Sequence, residues 1–198
     1  MFDLNNRYDF LGAAVLFEGG LIGVAAGLGW WFGIDPLSRL AWEGRGVVWG
    51  LAATIPMIGF FLVANRFPLG PLRKIKQFLL ETLGPLLVAC RWYDLLLIAA
   101  VAGIGEELLF RGVLHPWAGP LWSNVLFGLA HFITPIYALL AGLIGGYLGW
   151  LLDESGNILA PIIAHGLYDF VAFLVVAREC RRNRGLQETA DSSITRRT

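Results

Sequence analysis

The sequence contains few charged residues. Only 15% of its 198 residues are Asp, Glu, Lys or Arg, whereas about 25% is usual for a soluble domain. The 15 basic and 15 acidic side chains also balance, so the composition does not point to a nucleic-acid partner. In contrast, 57% of the residues are hydrophobic and the mean hydropathy is +0.64. The composition therefore indicates a membrane protein.

Several common catalytic and metal-binding patterns are missing. Cys90 and Cys180 are far apart in sequence and form no CxxC motif, which argues against a disulfide framework or a cysteine zinc site. We interpret both as small hydrophobic residues. The HExxH motif of zinc peptidases is also absent. Neither Ser123 nor Ser155 lies beside a suitable base in the sequence, so no serine nucleophile is predicted.

Long hydrophobic runs predict an all-α, polytopic membrane bundle of about six transmembrane helices, since one span needs about 20 apolar residues. The predicted spans lie near residues 10–33, 46–65, 92–114, 118–134, 136–152 and 157–177. Residues 1–9 lack the positive region of a signal peptide, so the first run is interpreted as a span. Part of 66–91 has helical apolar spacing and is expected to form an interfacial amphipathic helix.

These spans are expected to form one transmembrane domain over residues 1–177. The segment 66–91 contains five Lys or Arg residues and the tail 178–198 contains six arginines, whereas 34–45 contains two. Because basic loops are retained in the cytoplasm, six spans would place the N-terminus, 66–91 and the tail on the cytoplasmic side. The tail is polar, and we expect it to be disordered.

Polar side chains inside the spans are functional candidates, because a charge at the bilayer centre costs at least about 2.5–3.5 kcal/mol. These side chains are Glu18, Glu106, Glu107, Arg111, His131, His165 and Asp169. Glu106 and Glu107 point in different directions, since successive helical residues are about 100° apart. Glu107 and Arg111 have the i,i+4 spacing of an ion pair, so we predict that Arg111 neutralises Glu107. Glu106 has no local partner and is predicted to be a general base, whereas Glu18 is expected to cap a polar network or line a cavity.

Two further motifs place polar groups on other helices. In "FGLAH", Phe127 and His131 have i,i+4 spacing, so the two rings are expected to stack on one helix face. In "HGLYD", His165 and Asp169 have the same spacing and project from one face. In one possible chemistry, Glu106 and His131 activate a water while His165 and Asp169 hold the oxyanion. In the other, His131, His165 and Asp169 bind zinc and a glutamate acts as the base.

The three motifs, in this order, resemble those of the CAAX protease and bacteriocin-processing (CPBP or Abi) family of intramembrane proteases. The resemblance covers about residues 92–177. It implies an endopeptidase that acts on a membrane-associated protein or peptide in the lipid bilayer, with no cofactor expected and zinc as the alternative. By motif position, Glu106 and His131 would activate water, and His165 and Asp169 would lie on the oxyanion side. Asp169 stands where the best-studied eukaryotic members have asparagine.

The resemblance also implies a range of substrates and locations. The eukaryotic branch of the family removes a tripeptide from prenylated CaaX proteins, and the bacterial branch is linked to peptide processing and bacteriocin self-immunity. This short chain resembles the bacterial or organellar branch, so a bacterial plasma membrane or an organellar membrane is expected. A non-catalytic scaffold or immunity protein on the same fold remains an alternative. A small transporter is a weaker one, because the two halves show no evident repeat.

Overall fold

The computed structural model describes Leu4 and residues 6–195, with side chains up to Leu186. Over these residues the chain forms eight α-helices, two π-helical segments and no β-strand. The α-helices are α1 (Arg7–Phe32), α2 (Gly44–Arg66), α3 (Pro71–Phe78), α4 (Gly84–Ala89), α5 (Trp92–Glu107), α6 (His115–Ala130), α7 (Pro135–Ser155) and α8 (Leu159–Thr195). The π-helical segments are Leu79–Leu83 and Leu108–Leu114. The predicted all-α bundle is confirmed.

The number of helices that can span a membrane is four, or five if a bent pair is counted. Within the described chain, α1, α2, α7 and Leu159–Leu186 are each long and apolar enough to cross. The bent pair consists of Pro71–Ala89 and Trp92–Ala130, at 118° to each other. About six spans were expected, and the predicted spans near 92–114 and 118–134 both fall within Trp92–Ala130, which counts only as part of the bent pair. Gly119, with a φ of 84°, interrupts the helix there, and residues 120–130 reach about 16 Å at 1.5 Å per residue, too short for a core of about 30 Å.

Helix α1 is fixed along α5 at two points. The Arg7 guanidinium donates two hydrogen bonds to the buried Asp94 carboxylate, from Nε to Oδ2 at 2.6 Å and from a terminal nitrogen to Oδ1 at 2.7 Å. Farther along, Gly105 of α5 packs against the backbone carbonyl of Glu18, where a Cβ atom would not fit. These contacts place Glu18 of α1 beside Glu106 of α5 at the same depth in the bundle.

Helices α5 and α8 also approach closely, at Gly103 and Gly166. A Cβ atom on Gly103 would lie 2.9 Å from the Gly166 nitrogen and 3.0 Å from its Cα. Because Gly103 has no side chain, α8 can come this close to α5. The contact holds the helix that carries Glu106 against the helix that carries His165.

We expect Gly103→Ala to lower the free energy of unfolding by about 1–3 kcal/mol, because the added methyl group must push two backbones apart. The matched control is Gly27→Ala in α1, where a Cβ atom would meet nothing within 4 Å. That control should be neutral or slightly stabilising, since alanine favours helix more than glycine does. Thermal unfolding of both variants in detergent measures the difference. Equal stability of the two variants would contradict the close α5–α8 packing.

Two segments outside the motif-bearing helices, 66–91 and the residues past 177, can be compared with their sequence-based predictions. Within the segment 66–91, residues 71–89 are helical, as the apolar spacing of part of the segment predicts, and their location at the interface remains a prediction. Past residue 177, where disorder was expected, α8 continues to Thr195. Lys76 Nζ lies 2.6 Å from Glu179 Oε1, and Arg181 donates hydrogen bonds to the carbonyl oxygens of Val88 and Cys90. These long-range contacts hold α8 as far as Arg181; residues 196–198 lie outside the described part.

Candidate active site

Four of the polar residues predicted from the motifs line a single cavity of about 420 Å³. Glu106 comes from α5, His131 from the C-terminal cap of α6, and His165 and Asp169 from α8. Glu18 of α1 lines the same cavity. Most of the remaining wall is apolar and includes Phe10, Phe61, Leu79, Ile144 and Phe173. The cavity therefore combines a polar end with a long hydrophobic surface.

Glu106 and His131 face each other across this cavity. The distance from Glu106 Oε2 to His131 Nε2 is 3.5 Å, and Glu106 Oε2 is buried without a hydrogen-bond partner among the described residues. The other ring nitrogen of His131, Nδ1, lies 2.9 Å from the carbonyl oxygen of Phe127. Because a carbonyl oxygen only accepts, Nδ1 carries the hydrogen. In the neutral ring, Nε2 then has its lone pair directed towards Glu106 and the cavity.

The Phe127 ring packs against three functional side chains of the site. Its ring stacks on His131 with a centroid distance of 4.5 Å, which confirms the predicted i,i+4 stacking. The guanidinium carbon of Arg111 lies 4.5 Å from the centroid of the same ring, and His165 meets its edge at 5.9 Å. The aromatic side chain therefore fixes three functional groups through non-polar and cation–π contacts.

Glu107 forms the predicted ion pair with Arg111 and a second contact that spacing did not predict. Glu107 Oε1 accepts a hydrogen bond from Arg111 at 2.9 Å, and both side chains are fully buried. The same oxygen lies 2.8 Å from His165 Nδ1. Since an ionised carboxylate only accepts, His165 Nδ1 donates to it. Glu107 is thus both the counter-ion of Arg111 and the group that fixes the orientation of His165.

The other nitrogen of His165, Nε2, faces Asp169. Their separation is 3.4 Å from Nε2 to Oδ2, and the Asp169 side chain is 19% exposed towards the cavity. Glu107, His165 and Asp169 therefore form a line of three polar groups that ends in the cavity opposite Glu106 and His131. Tyr137 and Tyr168 add two phenol groups to the lining.

The comparison with protein families identifies the region that carries this constellation. Residues 88–171 match the type II CAAX prenyl endopeptidase Rce1-like family. The match confirms the predicted family resemblance, and this Rce1-like region contains every motif residue discussed above except for Glu18, which precedes it. Comparisons with curated proteins and with solved structures found no match. Together with the apolar helices, the match supports an integral, multi-pass membrane enzyme of the CAAX endopeptidase type.

Gly145 of α7, in the Rce1-like region, makes a polar contact with the buried ion pair. Its carbonyl oxygen accepts a hydrogen bond from Arg111 at 2.6 Å. A Cβ atom on Gly145 would lie 3.1 Å from both an Arg111 guanidinium nitrogen and the Phe127 ring. The glycine-rich run of α7 was visible in the sequence, but the acceptor role of one backbone oxygen depends on where α7 lies.

The zinc alternative assigned His131, His165 and Asp169 as ligands. Over the residues that the structure describes, no group of three or more His, Cys, Asp or Glu side chains has a geometry that could hold a metal ion. His165 Nδ1 is bonded to Glu107, and His131 Nδ1 lies against a carbonyl oxygen, so each ring has its Nε2 atom on the side of the cavity. His131, His165 and Asp169 do not form such a three-ligand group in this geometry.

Proposed function

We propose that this protein is an intramembrane endopeptidase that hydrolyses a peptide bond of a membrane-associated protein or peptide, in the manner of a CAAX prenyl protease. The observation that most supports this is the position of Glu106, whose buried Oε2 lies 3.5 Å from His131 Nε2 and has no hydrogen-bond partner in the described part of the chain. A buried carboxylate without a partner is unfavourable, so a water or substrate group is its natural complement. The Rce1-like match includes both residues.

In the proposed mechanism, Glu106 and His131 activate one water molecule. A water that contacts Glu106 Oε2 is within reach of His131 Nε2, which accepts a hydrogen bond and orients it. Glu106 takes a proton from this water as the oxygen attacks the substrate carbonyl carbon. When the tetrahedral intermediate collapses, the C–N bond breaks and Glu106 returns the proton to the leaving nitrogen. His131 positions the water, and Glu106 transfers the proton.

His165 is proposed as the donor to the oxyanion, with help from two carboxylates. Because its Nδ1–H points at Glu107, His165 can donate to the substrate only through a protonated Nε2. A proton on Asp169, whose Oδ2 lies 3.4 Å from Nε2, can be transferred to that nitrogen. This role explains how an aspartate can serve where a direct amide donor is absent. Hydrogen bonds from fixed donors to a developing oxyanion are a major source of rate acceleration.

Cleavage of a defined peptide tests this proposal. The purified protein in liposomes is mixed with a farnesylated peptide that ends in a CaaX sequence, and with the same peptide lacking the farnesyl group. We expect release of the C-terminal tripeptide from the farnesylated peptide, detected by mass spectrometry. Cleavage of both peptides would support the endopeptidase activity and show that it does not require a prenyl group. The absence of cleavage of either peptide would contradict the proposed activity.

A chelator separates the two water-activating mechanisms. If Glu106 and His131 act without a metal, incubation with 1,10-phenanthroline followed by desalting should leave the cleavage rate unchanged. Elemental analysis of the same preparation should then show well under one equivalent of zinc per chain. Loss of activity that is restored by added zinc would instead support metal-dependent hydrolysis.

A further inference from the structure

The charges that line the cavity are unbalanced. Glu18, Glu106 and Asp169 contribute three carboxyl groups, whereas Lys76 is the sole Lys or Arg among the described residues of the lining. Two histidines, His131 and His165, provide the remaining titratable nitrogen atoms near the polar end. With both imidazoles neutral, the cavity wall thus contains three carboxyl groups and one cationic side chain.

Lys76 already has partners away from the polar end. Its ammonium group lies 2.6 Å from Glu179 Oε1 and donates a hydrogen bond of 2.9 Å to the Asn65 carbonyl oxygen. Asn65 in turn donates to the other oxygen of Glu179 at 3.2 Å. These contacts join α2, α3 and α8. Lys76 is therefore engaged at this helix junction and does not neutralise the acids at the polar end.

Glu18 is the acid that the mechanism does not use. Its Oε2 is buried and has no hydrogen-bond partner within the described chain. Its backbone is fixed against Gly105, next to Glu106, so the side chain reaches the cavity from a rigid element. It lines the same cavity as Asp169 and His165. Glu18 also precedes the Rce1-like region, so the family match assigns it no role.

We propose that Glu18 binds a positively charged side chain of the substrate and thereby selects peptides with a Lys or Arg near the scissile bond; this inference rests on the proposed endopeptidase activity. An unpaired carboxylate in a mostly apolar cavity is stabilised when a cation is brought to it. The aliphatic part of a Lys or Arg side chain would lie along the apolar wall while its charged end reaches Glu18. Glu18 is a specificity-determining residue in this scheme, and Glu106 remains the base.

The experiment compares peptides that differ in one charge. In the farnesylated CaaX peptide, each residue other than the prenylated cysteine is replaced in turn by Lys or by norleucine, which has a similar aliphatic chain without the charge. The kcat/KM values are measured for the wild type, for Glu18→Gln, and for Glu154→Gln, whose exposed carboxylate lies at the end of α7. For at least one position, the wild type and Glu154→Gln should prefer Lys by about tenfold. Glu18→Gln should lose that preference.

The preference is the ratio of kcat/KM for the Lys peptide to kcat/KM for the norleucine peptide. A variant that is less active on all peptides keeps the same ratio. If Glu18→Gln lowers kcat/KM equally for the Lys and the norleucine peptides, Glu18 supports the structure or the leaving amine, and the proposal is overturned. The same conclusion follows if the wild type prefers Lys at no position, or if Glu18→Gln keeps the preference. Because the norleucine peptides report cleavage without the charge, their hydrolysis by the wild type shows that the endopeptidase activity itself stands.

Discussion

Replacement of Glu106 by glutamine is expected to reduce kcat for peptide cleavage by about 10²–10⁴-fold, the usual contribution of a general base. The amide has nearly the same shape as the carboxylate but cannot accept a proton from water. Glu106 Oε2 has no hydrogen-bond partner among the described residues, so the substitution removes no internal bond from that atom. Glu106→Gln should therefore lose cleavage activity in liposomes but keep the wild-type unfolding temperature in detergent.

A matched control variant and a cellular assay test the role of Glu106 further. Glu154→Gln makes the same chemical change at an exposed position of α7 and should cleave at the wild-type rate. Full activity of Glu106→Gln would contradict the assignment of Glu106 as the base. If Glu106→Gln cannot cleave but still restores the cellular phenotype of a deletion strain, the scaffold or immunity alternative would be favoured over proteolysis.

Replacement of Arg111 by methionine is expected to destabilise the protein by about 3–5 kcal/mol, because a buried charge is left without its partner. Methionine keeps much of the side-chain volume, so lost packing contributes little. The substitution removes the hydrogen bonds of Arg111 to Glu107 Oε1 and to the Gly145 carbonyl oxygen, both of which are buried. Denaturant unfolding in detergent measures the loss.

An exposed arginine provides the matched control. Arg39 pairs with Asp153 at 3.1 Å, but both side chains are 48% exposed, so Arg39→Met should change stability by no more than about 1 kcal/mol. The double substitution Glu107→Gln with Arg111→Met should recover part of the lost stability, since neither charge then remains buried. It should not recover activity, because His165 has lost its carboxylate partner. Similar stabilities for Arg111→Met and Arg39→Met would contradict the buried ion pair.

The features that could be predicted are those in which one turn of helix determines the geometry. Glu107 and Arg111 are four residues apart and form the expected ion pair, and Phe127 and His131 are four residues apart and stack. Long apolar runs similarly predicted an all-α membrane bundle, because every backbone polar group must be satisfied within a helix in lipid. In each case the partners are close in sequence, so helical periodicity alone defines their relative positions.

The continuity of helices was harder to predict. Hydropathy suggested a full span near 118–134, but the positive φ of Gly119 breaks the helix and leaves too few residues to cross the membrane. Hydropathy also suggested that the last span ends near residue 177, but α8 continues beyond it, and Glu179 and Arg181 contact distant residues. Both differences come from local backbone geometry or distant contacts that a hydropathy average does not include.

The site as a whole depends on contacts between residues that are far apart in the chain. Spacing made Glu107 a counter-ion for Arg111, but its bond to His165 joins residues 58 positions apart and makes it a positioning group as well. Spacing alone likewise left Glu106 without a partner until α6 brought His131 to 3.5 Å. Glu18 became part of the site because α1 lies against Gly105. Sequence periodicity defines which face of one helix a side chain occupies, whereas helix packing defines which groups on different helices meet.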